Sequence, residues 1–445
     1  MKKSVALLIA FIIVFSLFAC KNGREDNTVD FDDTTVQSLS ESSAALTDTT
    51  AVNFSPGWFV PDMWAVADIT AEFAFDMLKD GIVLEKNTII SPVSIMAALA
   101  MAACGAGGDT LKETEAVLGA DVETLKTYFG GYLKNENYLS NGVTFANSVW
   151  INSADARLTV NPNFITCCRD SFDAEVFEEK FDKKALKKLN RWVSDNTDGA
   201  IKNMLDKIPN DAVIYLINTV LFDAEWQNKY EHSDVLKDMI FTSEDGRKQK
   251  VTMLSSEEPS TKYFTLGMTE GISREYTNGF SFAAILPNEG TTVAQALNSF
   301  SGEDFVLSVT KKSGNQNLSA QDTVFDAYPI KVYLPKFEFE YNIKLSDTLK
   351  KLGMPLAFDE EKADFKNMAA YAGGNIYMNE VFHNAYISLG EKGTKAGAAT
   401  TIEMATESMP MYNIILNFNR PFIFVIYETS SGLPLFAGTV TDFEQ

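Results

Sequence analysis

Histidine is scarce in this chain: His232 and His383 are the two in 445 residues. No Cys, His, Asp or Glu spacing of the metal-binding kind is present, and no Ser sits in a nucleophile-elbow motif. A hydrolase with its own nucleophile and base is therefore not expected, nor a metal or other cofactor. Positive charge is in deficit, with 38 Lys and Arg against 60 Asp and Glu, a formal net charge of -22. That argues against nucleic acid as a partner, since phosphate binding needs clustered cations, and against an electrostatic grip on anionic lipid. Cysteine is sparse as well. After Cys20, only Cys104, Cys167 and Cys168 follow. Three thiols cannot all pair, and neighbours in sequence rarely pair with each other, so the thiols read as structural and the fold as independent of disulfides. No internal repeat is visible, and beyond the N-terminus no apolar run approaches the length of a membrane span.

What is present begins at that N-terminus. Lys2 and Lys3 precede an apolar run, Val5 to Phe18, followed by Ala19-Cys20. A basic start, a short apolar stretch and a small residue before the cut describe a secretory signal over residues 1–19. Leu17-Phe18-Ala19-Cys20 resembles a bacterial lipobox, which implies lipidation of Cys20 and a surface or cell-envelope location. Residues 20–60 are rich in Thr, Ser, Asp and Asn and read as a solvated tether, whose root-mean-square span would be roughly 35 Å. One domain is expected over residues 61–445, and its 32 phenylalanines (counted over the whole chain) are ample for a core.

Within that domain the pattern is mixed. Trp64 to Leu78 has helical spacing, and Ser91-Pro92 suits the cap and first turn of a second helix. Phe145 to Ile151 and Ala212 to Phe222 read as buried strands. Leu186 to Leu205 reads as an amphipathic helix broken near Thr197-Asp198-Gly199. Phe282 to Leu286 is a strand ending in a turn. Ile330 to Tyr341 is a strand interrupted by Pro335, and Ile343 to Leu352 is a helix stopped by Gly353. Two strands, Phe418 to Tyr427 and Leu433 to Thr439, flank a Ser-Ser-Gly turn. Without regular βα alternation, the class is α+β.

One stretch resists a globular reading. Residues 391–411 lie between apolar strands and form a long connection for a compact domain. With period two, Thr394, Ala396, Ala398, Thr400, Ile402 and Met404 make one face, small or uncharged. Lys395, Gly397, Ala399, Thr401, Glu403 and Ala405 make the other, which carries every charge between 394 and 405. Such alternation is what a strand with one buried face requires, and Gly393 supplies a hinge before it. The loop carries a latent strand.

Here the sequence resembles a serpin. Glu391-Lys-Gly-Thr-Lys-Ala-Gly-Ala-Ala-Thr is similar to the hinge of inhibitory members. Asn87-Thr-Ile-Ile-Ser-Pro-Val-Ser-Ile, Leu189-Asn-Arg-Trp-Val-Ser-Asp-Asn-Thr-Asp-Gly-Ala-Ile, Ile217-Asn-Thr-Val-Leu-Phe-Asp-Ala-Glu-Trp, Leu334-Pro-Lys-Phe-Glu-Phe-Glu, Phe418-Asn-Arg-Pro-Phe-Ile-Phe and Leu435-Phe-Ala-Gly-Thr-Val follow the family's order over about residues 62–445. The resemblance implies a serpin fold: a large central sheet, further sheets, about eight or nine helices and an exposed reactive loop. It implies a suicide inhibitor, in which a protease cuts the loop, is acylated, and is trapped when the loop inserts into the central sheet.

By the same resemblance Ser91, Ser94, Asn218 and His383 form the shutter where strands part, and Trp226 marks the breach. Glu391, Gly393, Thr394, Ala396, Gly397, Ala398, Ala399 and Thr400 form the hinge. Lys395 stands where the family often has an acidic residue, on the outward face. Counting seventeen residues inclusively from Glu391 places the scissile bond at Glu407-Ser408; counting back from Phe418 moves it toward Met409, with Thr406 and Met404 as further alternatives. The implied partners are secreted serine proteases, glutamate-specific or elastase- and subtilisin-like, and also cysteine proteases, met by a monomer. The competing reading is a non-inhibitory serpin-like chaperone or binding protein; bulky or charged residues or Pro, usual at inward hinge positions of such members, are absent from Thr394 to Thr400.

Overall fold

The computed structural model describes residues 9–19, 63–80, 86–132, 142–310, 329–394 and 414–443. Nine α-helices lie among them: α1 (Met63–Asp80), α2 (Pro92–Gly105), α3 (Gly108–Leu118), α4 (Val122–Tyr132), α5 (Pro162–Phe172), α6 (Lys183–Asn196), α7 (Val293–Leu297), α8 (Gly302–Thr310) and α9 (Ser346–Leu352). None is long and apolar enough to cross a membrane.

The central sheet has eight strands. Their path is β5 (Ala174–Glu179), β3 (Val143–Asn152), β6 (Ala212–Phe222), β1 (Ile9–Ala19), β16 (Ile376–Gly390), β17 (Gly393–Thr394) and β7 (Ala224–Glu225), with β14 (Phe337–Lys344) also pairing β16. A second sheet runs β10 (Tyr263–Leu266), β11 (Thr269–Glu275), β12 (Phe280–Pro287), β19 (Phe422–Glu428), β20 (Pro434–Val440), β2 (Thr88–Ile90). A third runs β18 (Ile415–Asn417), β13 (Ile330–Pro335), β9 (Lys248–Glu258), β8 (Val235–Thr242), and a small ladder joins β15 (Ala369–Tyr371) to β4 (Leu158–Val160). The class is α+β, as the sequence indicates.

Local chemistry explains the elements that position the site. Helix α2 starts where Ser91 caps it, accepting the Ser94 amide at 3.3 Å, with Pro92 in the first turn. Its residues are small and apolar and nearly all buried, so it serves as the axle beneath the central sheet. Strand β6 is buried along almost its whole length, the pattern of a strand covered on both faces.

Four expectations need correction. The helix read over Leu186 to Leu205 is α6, which starts at Lys183, where Asp182 caps it, and ends at Asn196; residues 200–211 are not helical. Strand β14 continues through Lys344, so α9 begins at Ser346 rather than near Ile343. The strand interrupted by Pro335 is two strands in different sheets, because Pro335 closes β13 and lets the chain cross over. Finally, Cys104 and Cys167 are joined as a disulfide between α2 and α5, with Cα atoms 6.6 Å apart, while Cys168 is free and buried. Adjacent cysteines point to different sides of a helix, so Cys167 reaches α2 while Cys168 faces the core. The fold is therefore not free of disulfides.

The apolar run near the N-terminus, read as a signal, is strand β1 here. It pairs antiparallel with β6 from Ile9↔Phe222 to Phe18↔Ala212 and with β16 from Phe11↔Ala385 to Ala19↔Ile376. The interval between β6 and β16 is thus one antiparallel strand wide.

Candidate functional site

The shutter residues lie on both banks of that interval. Asn218 of β6 and His383 of β16 share a level, each in register with Ile13 of β1. Ser94 donates its hydroxyl to Asn218 Oδ1. Asn218 Nδ2 donates to Asn147 Oδ1 of β3 at 2.6 Å, and Asn147 Nδ2 donates to the Phe172 carbonyl at the end of α5 at 2.7 Å. All of these side chains are buried. The relay runs from α2 through β6 and β3 to α5, and the Cys104–Cys167 bridge closes it back onto α2. His383 is fully buried, which pushes its pKa down to about 3 against a hydrogen bond with the Ile89 backbone. It is neutral at physiological pH, so the centre between the two strands holds no charge from this side chain.

The breach lies at the end of the interval where β6 gives way to β7. Trp226 is fully buried and stacked on Tyr276, ring centroids 4.3 Å apart. Its indole Nε1 donates to the Gly390 carbonyl at 2.9 Å and its amide to the Lys392 carbonyl at 2.8 Å. The Arg274 guanidinium covers the Trp226 and Tyr230 rings at 5.4 and 4.0 Å and pairs with Glu258, a cation–π arrangement worth most when desolvated. Tyr230 donates its amide to the Glu391 carbonyl at 3.0 Å.

The hinge begins as a tight hairpin. Strand β16 ends at Gly390, and Gly393 and Thr394 return alongside it, pairing with Gly390 and Leu389 and, on the other side, with Glu225 and Ala224. Gly393 has φ +148°, and a Cβ there would lie 2.1 Å from the Ala224 carbonyl oxygen, so glycine is required. Thr394 is fully buried, its hydroxyl 2.5 Å from the Tyr276 hydroxyl. Glu391 pairs with Lys336 at 2.7 Å. Burial raises the Glu391 pKa, but the Lys336 and backbone hydrogen bonds outweigh it, and the carboxyl is held below its ordinary value.

The structure brings together Ser91, Ser94, Asn218 and His383 in one centre, and Trp226, Glu391, Gly393 and Thr394 in another. Lys395, Ala396, Gly397, Ala398, Ala399, Thr400, Met404, Thr406, Glu407, Ser408, Met409 and Cys20 lie outside the described residues. Sequence reasoning missed Asn147, Tyr276, Lys336 and Arg274. A polar Asn inside the buried strand Phe145 to Ile151 is a usable signal for the first. The others meet their partners only through long-range pairing, which a single sequence does not display. Among the described residues no group of three or more His, Cys, Asp or Glu could hold a metal ion.

Comparison with known proteins agrees with this architecture. The family model described as serpin (serine protease inhibitor) matches residues 68–443. Human Serpin B7 is 26% identical over 408 residues, covering 85% of this chain and all of that protein. Serpin-Z2B of Triticum aestivum is 29% identical over 376 residues, covering 80% of this chain and 90% of its own. Among solved structures, the thermophilic serpin tengpin in its native state is 34% identical with a TM-score of 0.72, covering 85% of this chain and 94% of that one. The same protein in its latent state gives 35% and 0.70, covering 85% and 98%. With its two-banked interval, glycine hinge and breach tryptophan in place, the chain belongs to the serpin family.

Proposed function

We propose that this protein inhibits extracellular serine proteases as a suicide substrate, with the interval between β6 and β16 receiving the cleaved loop. The observation that carries the proposal is that the hinge already points along that interval in register. Leu389 pairs with Thr394 and Gly390 with Gly393. Continued without a break, that register sets Thr400 beside His383, at the shutter, and Glu407 beside Ile376, the first residue of β16. A one-residue bulge such as β1 shows between Ser16 and Leu17 would bring Thr406 there instead. The bank is therefore as long as the loop up to the scissile bond favoured at Glu407-Ser408.

In the chemical step the protease's hydroxyl attacks the Glu407 carbonyl. An acyl ester forms, the Glu407–Ser408 amide breaks, and the Ser408 nitrogen leaves with a proton. Insertion must then outrun hydrolysis of the ester. About ten new ladder hydrogen bonds at ~0.5–1.5 kcal/mol each supply on the order of ten kcal/mol, comparable to the stability of a whole domain. In this reading residues 1–19 are removed before Cys20, which vacates the interval, and lipidated Cys20 holds the monomeric domain on its tether at the surface. Glu407 before the cut favours a protease with a basic specificity pocket; a cut after Met409, Thr406 or Met404 favours elastase- or subtilisin-like targets, and cysteine proteases follow the same route through a thioester.

Mixing the mature protein with a protease panel tests this. An SDS-resistant complex, with a C-terminal fragment whose mass starts at Ser408, is the expected result. Clean cleavage of the loop by every protease, without complex, would instead favour a binding or chaperone role.

A further inference from the structure

Strand β1 and the hinge occupy one interval end to end. Gly393 and Thr394 pair with Glu225 and Ala224 on one bank and with Gly390 and Leu389 on the other. Strand β1 takes up the ladder further along, at Ile9↔Phe222 on the first bank and Phe11↔Ala385 on the second. Each is antiparallel to both its neighbours, so the two run in the same direction. They also share one register. Extending the hinge pairing gives Ala396 the rung of Phe222, Ala398 the rung of Ala385 and Thr400 the rung of His383. Ile9, Phe11 and Ile13 already hold those rungs. Only the rung of Asp223 lies between Thr394 and Ile9. The two competitors differ in composition. Strand β1, Ile-Ala-Phe-Ile-Ile-Val-Phe-Ser-Leu-Phe-Ala, has no charge, proline or glycine, and its sequence is apolar at odd and even positions alike apart from Ser16, as a strand between two covered faces requires. Residues 396–405 of the loop include Gly397, Glu403 and four alanines; glycine weakens a strand and small side chains bury less apolar area.

We infer that residues 9–19 are an intramolecular plug. While they remain on the chain, the reactive loop enters the interval no further than Lys395, and the protein is cut as a substrate without trapping its protease. The inference rests on the trapping mechanism proposed above and adds its regulation: the chain is held inert by its own N-terminus, and the cut before Cys20 must come before any encounter that traps. A linked strand competes at an effective concentration that is about millimolar for short flexible linkers. Once the link is cut, the same strand is a free peptide and is lost by dilution.

Three forms of the chain test this. The first is residues 1–445 with Cys20→Ala, which removes the processing site in that reading. The second begins at Cys20. The third is the first with Ile13→Pro and Phe15→Pro added, since proline lacks the ladder donor and is excluded from central strands. A protease that the second form traps should cut all three at the same bond. Stable complex scales with the fraction of chains whose interval is open, so about 99 plugged chains in 100 would lower it about 100-fold in the first form. The proline form should return to within about threefold of the second, with at least about one chain in three open. Amides of β6 and β16 should exchange more slowly in the first form than in the other two. Equal complex from the first and second forms, a proline form as inactive as the first, or equal exchange in all three would overturn the inference. Absence of complex from the second form with every protease would count against the trapping mechanism instead, and the exchange comparison would then decide whether residues 9–19 fill the interval.

Discussion

The two centres flanking the interval hold it in different ways. The shutter is a chain of neutral amides and hydroxyls, fully buried, with a histidine kept uncharged between them. The breach is a stack of aromatic rings beneath a guanidinium, with one ion pair at its rim. Neutral hydrogen bonds are individually modest, and they can be exchanged for ladder bonds when a strand enters, provided no donor is left orphaned. Aromatic packing does not exchange in that way. It fixes the place where the chain turns from β16 into β17, so under the proposed function the breach would set where insertion starts and the shutter how easily the strands part.

That contrast can be broken experimentally, and the largest effect is expected at the hinge. Thr394→Arg would bring a cation into a fully buried site against Tyr276, and an unpaired buried charge costs several kcal/mol or more. The loop should be cleaved at an unchanged rate while SDS-resistant complex falls by orders of magnitude. Lys395→Glu, outward by the period-two pattern of the sequence, should leave complex formation intact.

At the shutter, Asn218→Ala would orphan the Ser94 hydroxyl and the Asn147 carbonyl oxygen. Each buried orphan costs about 1–3 kcal/mol, so denaturant unfolding should show a loss of about 2–4 kcal/mol. Reduction of Cys104–Cys167 should lower stability by a similar amount, about 2–4 kcal/mol for a loop this long, and should speed hydrogen exchange in β3 and β6 because it opens the relay's covalent side. Cys168→Ala should not speed that exchange.

A smaller effect follows from His383. Its folded pKa is about 3, below its ordinary value of about 6.5. Above pH 6.5 both states are neutral and pH has no effect through this group. As pH falls below 6.5 the unfolded chain takes a proton that the folded chain refuses, so stability is lost. Between pH 7 and pH 5 the loss should be about 2 kcal/mol, and His383→Gln should flatten that limb of the curve. The smallest effect is expected from Lys336→Ala, since both partners of its ion pair are about a third exposed and such pairs contribute about 0–1 kcal/mol. A loss well above that would make the rim of the breach more than a surface contact.

Much of this was legible in the sequence because it is local. The Ser91 cap, the buried run of β6 and the alternation that puts Thr394 inward each follow from a few consecutive residues. The hinge glycine is legible too, although the reason for it, the Ala224 carbonyl, lies 169 positions away. What escaped reading is set by distant pairing. Glu391 meets Lys336 and Thr394 meets Tyr276 across 55 and 118 positions, and Cys104 finds Cys167 across 63. The apolar run near the N-terminus shows a different limit. A stretch apolar on every side suits a secretory signal and equally a strand covered on both faces, and composition does not choose between them.

The most direct test of the account is a cross-strand link made on cleavage. Extending the Leu389↔Thr394 register places Ala398 opposite Ala385, so a chain with Ala398→Cys and Ala385→Cys should form a disulfide after the loop is cut, at the distance paired strands allow. The pair Ala399→Cys and Ala385→Cys should not, because the side chains face opposite ways. Linkage of the first pair in cleaved but not intact protein is the predicted result; linkage of neither, or of both equally, would contradict insertion between β6 and β16 in this register.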